Sequence, residues 1–155
     1  MPLSYLCPHH RHRLLKDPGA ADETWRHAYS CCLTLPASSR HRERINLAGC
    51  AYEAAHILMT AHGDKSRRSI LRLTSSARQL VHWLRQAGER QAVSVTIGQT
   101  VTMLQQLLHR GVARDLILAA CQTLMHLEET DSAKAVSSPA PWPVTDGHGM
   151  RGTVH

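Results

Sequence analysis

An all-α fold is predicted by three observations. Three consecutive segments between Arg44 and Gly111 each close on a glycine, at Gly63, Gly88 and Gly111. Each segment repeats its apolar residues at spacings of three and four, the period of one helix face. The apolar complement is built from Leu, Ala, Val, Ile and Met, because phenylalanine is absent and aromatics make up only 4% of the chain. Small aliphatic residues of this kind suit close helix packing better than a β-sandwich, which favours aromatic and β-branched residues. Four to five antiparallel helices are expected, as a helical array or an up-down bundle with disordered termini.

With 155 residues the chain has room for one domain with a core of its own. Residues 1–20 contain Pro2, Pro8, Pro18 and Gly19 among histidines and arginines without a sustained period, and read as a flexible arm. Residues 21–129 form the expected single helical domain. From Thr130 onward, Pro139, Pro141, Pro143 and repeated Ser and Gly mark a disordered tail over 130–155, with Trp142 an isolated aromatic in it.

The first expected helix follows Asp22 as its cap, with Glu23 in the first turn, and ends before Pro36. Trp25, Ala28, Tyr29, Cys32 and Leu33 form its apolar face. The second runs from about Arg40 to His62, with Ile45, Ala48, Tyr52, Ala55 and Met59 as its stripe. Gly63 suits a left-handed C-terminal stop, and Asp64 a cap for the next helix. The third carries the cleanest pattern, with Ile70, Leu73, Ala77, Leu80, Leu84 and Ala87 in strict three-four alternation. Arg68, Arg72, Arg78 and Arg85 lie off that seam, towards solvent. The fourth, about Gln91 to Arg110, uses Val93, Ile97, Val101, Leu104 and Leu108. Its β-branched run makes a strand over 92–97 the competing reading, but no second strand candidate exists to pair with it. A fifth helix, about Ala113 to Glu129, places Leu116, Ile117, Ala120, Leu124 and Leu127 on one face.

Within this array, Gly49-Cys50-Ala51-Tyr52-Glu53-Ala54-Ala55, followed by Ala61, resembles the turn and second helix of a tetratricopeptide repeat. Leu80, Leu84, Gly88 and Ala92 resemble the same segment again, with one residue fewer between glycine and alanine. Ala54 and Ala92 are 38 residues apart, against roughly 34 in that family. The resemblance spans about residues 40–110. It implies antiparallel helix pairs stacked into a short superhelix whose concave face holds a peptide or protein segment.

The formal charge is +6, and Lys16, Lys65 and Lys134 are the only lysines. By segment the charge is about +2 over 1–62, about +6 over 63–111 and about −2 over 112–155. The excess sits on the middle helices, where it attracts an acidic partner or nucleic acid. The five cysteines are odd in number and include the adjacent Cys31 and Cys32, which argues against a disulfide scaffold. Cys50 and Cys121 fall among apolar positions and read as small buried hydrophobes. Charged residues arrive too early for a signal peptide, and no apolar run approaches a membrane span of about 18 residues. The cytoplasm is the expected compartment.

Nothing in the sequence assembles a reaction centre. Cys7, His9, His10 and His12 supply metal-ligand types but not the paired spacings of a zinc site. Glu53 and His56 match the E-x-x-H element of di-iron bundles, yet the third helix has no acidic residue before Glu89 and the fourth has none to complete it, and a surface or half-buried pair is expected. No serine or cysteine lies in a nucleophile context, and Gly147, Gly149 and Gly152 are no phosphate loop. No catalytic residue, cofactor or metal is therefore expected. The expected function is a non-catalytic adaptor or regulatory protein, binding a protein or peptide through an inter-helical groove with a basic rim. Tyr52, His56, Arg68, Arg72, Arg78 and Gln79 are the candidate contact residues. The alternative is a small nucleic-acid-binding regulator using the basic third helix; a homodimer is a further possibility.

Overall fold

Six helices account for nearly all of the described chain, one or two more than expected. The computed structural model describes residues 4–136, and the side chains of residues 4–129. The extra helix comes from the N-terminal arm. Cys7 caps α1 (Pro8–Lys16), its sulfur accepting from the His10 N–H at 3.5 Å, and Pro8 at the first position needs no partner for a missing N–H. Arg13 and Lys16 close the last turn, where cations suit the helix dipole. Leu14 is fully buried, so this segment is part of the domain and the boundary expected at residue 21 is corrected.

Asp17 ends α1 and caps α2 (Pro18–Thr34), accepting from the N–H groups of Gly19 at 2.8 Å and Ala20 at 3.1 Å. The Asp17-Pro18-Gly19 run, readable as a loop, is thus a cap followed by proline at the first helical position. Asp22, expected as the cap, sits a turn inside and turns to Arg26 and Arg72 instead.

Next come α3 (His41–Thr60), α4 (Arg67–Gln86), α5 (Arg90–His109) and α6 (Arg114–Val136). Gly63 and Gly88 take positive φ (+66° and +77°) in the links that reverse the chain. Ser66, not Asp64, caps α4 by accepting from the Ser69 N–H at 3.2 Å; Asp64 accepts from the Ser66 N–H. The 92–97 run is helical, and no strand occurs among the described residues. Its threonines fit because Thr96 and Thr100 donate to the carbonyls of Ala92 and Thr96, at 2.8 and 2.7 Å. The helix α6 continues past Glu129 to Val136, into the stretch expected as tail; residues 137–155, with Trp142, lie outside the described residues.

Each of α2 to α5 packs on its successor, α1 lies against α2 and α3, and α4 also reaches α6. The main core runs from Cys32 through Ile70, Leu73, Leu80, Ile97 and Leu104 to Ile117 and Leu124. A smaller cluster, Leu6, Leu14, Ala20, Ala21, Ala54, Ile57 and Leu58, joins α1 and α2 to α3. Cys50 and Cys121 are only half-buried, and Cys32 is the buried thiol. Gly49 lies inside continuous α3 rather than in a turn, and a Cβ there would run into the Tyr5 ring. No described helix is long and apolar enough to cross a membrane.

Candidate functional site

Two grooves hold the candidate contact residues that line a cavity. The larger, about 910 Å³, is bounded by α2, α4, the start of α5 and Leu127 of α6. Four arginines line it: Arg44 from α3, Arg78 and Arg85 from α4, and Arg90 from the first turn of α5. Among the described residues, no aspartate or glutamate does. Two of the four are already engaged. Arg44 donates to the Pro36 carbonyl and lies 4.4 Å over the Trp83 ring, and Arg85 donates to the Leu127 carbonyl. Arg78 and Arg90 are exposed, and their guanidiniums make no hydrogen bond or ion pair among the described residues.

The apolar part of this groove includes Tyr29, Leu33 and Trp83, with Leu33 56% exposed. Trp83 carries Arg44 on one face and meets His82 edge-on at 4.6 Å. Its buried indole N–H faces the Cys32 thiol without reaching hydrogen-bond geometry. Burial pushes that thiol up, against the opposing pull of the Trp83 N–H and Arg44, which favours its protonated form.

The smaller groove, about 500 Å³, lies between α3 and α5, with Arg11 at its edge. Tyr52, Glu53, His56 and Thr60 form one wall, and Gly98, Gln99, Thr102, Met103 and Gln106 the other. The Thr100 hydroxyl spends its proton on Thr96, so the buried Tyr52 hydroxyl donates to Thr100 Oγ1 at 3.0 Å. Glu53 is buried, not half-exposed as expected. Its carboxylate accepts from the Tyr5 and Leu6 N–H groups, both at 2.9 Å, and from Arg11 at 2.6 Å. Both oxygens are thus used in holding the N-terminal segment on α3, which leaves little for chemistry in the groove. Burial lowers the His56 pKa, Arg11 adds to that, and Glu53 opposes it. Burial, then Tyr52, Glu53 and Glu89, push Tyr5 up to about 12.

The six candidate contact residues therefore do not share one surface. Arg78 and Gln79 line the larger groove, and Tyr52 and His56 the smaller. Arg68 is exposed in the first turn of α4 and lines neither. Arg72, expected in solvent, is buried: it pairs with Asp22 and stacks over Trp25 at 4.9 Å, while the Trp25 indole donates to Ser76 at 2.9 Å. An arginine beside the seam of α4 reaches the neighbouring helix once α2 supplies an acid and an aromatic. Sequence reasoning missed Trp83 and Arg90. Their signal was a tryptophan between Arg78 and Arg85, and an arginine directly after the Gly88 turn.

No group of three His, Cys, Asp or Glu able to hold a metal occurs among the described residues. Cys7 and His10 approach to 3.1 Å but have no third member. What the larger groove offers is a concave, positively charged surface with apolar patches, suited to binding. No family model, curated protein or solved structure matches this chain.

Proposed function

We propose that this protein is a non-catalytic adaptor or regulatory protein that holds an acidic segment of a partner protein in the groove between α2, α4 and α5. One observation carries the reading: four arginines line that groove and, among the described residues, no carboxylate does. Such a surface favours carboxylates and repels cationic partners. Arg78 and Arg90 are the forks available for bidentate contacts, while Arg44 and Arg85, held by carbonyls, contribute fixed charge. Leu33 and Tyr29 give an apolar side chain of the same segment a place to rest. All five thiols are unpaired, which fits action in the reducing cytoplasm.

A segment of protein suits the groove better than nucleic acid. Single-stranded binders stack bases on open aromatic faces. Here Trp83 is taken by Arg44 and His82, and Tyr29 is stacked on Trp25 at 5.3 Å.

The test is fluorescence anisotropy with a labelled peptide of glutamate and leucine, against a labelled single-stranded oligonucleotide of equal charge. The peptide is expected to bind more tightly, and Arg78→Glu with Arg90→Glu to weaken it by about tenfold or more, the usual scale for charge reversal at a rim. Tighter oligonucleotide binding with a steep salt slope would transfer the reading to nucleic acid.

A further inference from the structure

The terminal helix of the described array has two apolar sides, and only one is covered. Ile117, Ala120 and Leu124 of α6 are buried against α5 and α4. Leu118 and Met125 are 42% and 53% exposed, and no other described helix packs over them. They do not stand alone. At about 100° per residue, Arg114, Leu118, Cys121, Gln122, Met125 and Glu129 fall on one stripe. That stripe has a cation at one end, an anion at the other and apolar groups between.

We propose that this stripe pairs antiparallel with the same stripe of a second copy of the chain. If Leu118 is set against Met125 of the copy, the register sets Cys121 against Gln122 and Arg114 against Glu129. Both ends then form ion pairs across the twofold axis, and the apolar residues meet between them. Parallel pairing would oppose like charges at both ends. This self-complementarity, the signature of an isologous interface, points to a second copy as the occupant. Arg114 has no ion-pair partner among the described residues, and Glu129 has only His126 at 3.7 Å. The neighbouring Asp115 is committed to Arg67 within the chain at 3.4 Å. The proposal does not depend on the basic groove, which α6 touches, among the described residues, through Leu127.

Sedimentation equilibrium of the full chain over a wide concentration range tests it. The wild type is expected to dimerise. Arg114→Glu alone and Glu129→Arg alone should each weaken the dimer by about tenfold, the scale for opposed like charges at a rim. The two together should restore it, because both pairs are re-formed with signs exchanged. Leu118→Lys with Met125→Lys should give a monomer with unchanged helix content, since both side chains are exposed. A monomeric wild type would overturn the proposal, as would a dimer indifferent to these residues or a double reversal that fails to restore association. If the full chain is monomeric but a chain ending at residue 136 dimerises, the occupant is residues 137–155, and the proposal fails in that specific way.

Discussion

Gly49 and Gly98 both sit inside helices, and their surroundings demand opposite things of them. At Gly49 a Cβ would enter the Tyr5 ring, so the glycine is what lets the N-terminal segment lie on α3. At Gly98 a Cβ would meet nothing within 4 Å. Gly49→Ala is therefore expected to lower stability by about 1–3 kcal/mol, as overpacking does, even after its gain in helix propensity. Gly98→Ala should raise it by up to about 1 kcal/mol. Urea unfolding of the two variants checks both, and equal shifts would remove the Tyr5 argument. His56 gives the other residue-scale expectation. Its folded pKa lies below the ordinary 6.5, lowered first by burial. Between those two values the unfolded chain holds a proton that the folded chain does not, so stability rises with pH across that interval and falls as pH drops through it. His56→Gln should lose less stability than wild type between about pH 7 and pH 5. Superimposable pH profiles would contradict the assignment.

Among the elements, α3, α4 and α5 were the most legible, because long apolar stripes and glycine stops state the same boundaries twice. The strand alternative over 92–97 failed because Thr96 and Thr100 donate their hydroxyls to backbone carbonyls one turn back on their own helix. Residues 8–16 were not legible. Nine residues are too few to show a period, and the forces that hold α1 are distant: Glu53 on the Tyr5 and Leu6 amides and Arg11, and the His62 ring on the Leu14 carbonyl at 2.7 Å. The docking of α2 on α4 was equally hidden, since it rests on Asp22, Trp25, Arg72 and Ser76 from segments 51 residues apart at Trp25–Ser76. Arg72→Ala should destabilise by about 3 kcal/mol, by removing a buried ion pair and the stack over Trp25 together. Asp22→Ala should also destabilise, because it strands a buried guanidinium. The double variant should cost less than the sum of the singles, as groups in contact do. Additive losses would show that the pair does not couple the two helices.

For the molecule as a whole, the charge map was visible early, with the excess of positive charge on residues 63–111. Where that charge converges was not. The larger groove takes Arg44 from α3, Arg78 and Arg85 from α4 and Arg90 from α5, so its rim exists only after three helices have packed. The same packing sent Arg72 inward and left Arg68 apart, which no helix-by-helix reading distinguishes from Arg78. The smaller groove, with Tyr52 and His56, lies between α3 and α5, and its one lining arginine, Arg11, is tied to Glu53. The proposed binding of an acidic segment is therefore assigned to the larger groove alone. Hydrogen–deuterium exchange with and without the glutamate–leucine peptide tests this most directly. Protection is expected along residues 29–35 and 75–93; protection confined to 52–60 and 98–106, or none at saturating peptide, would contradict it.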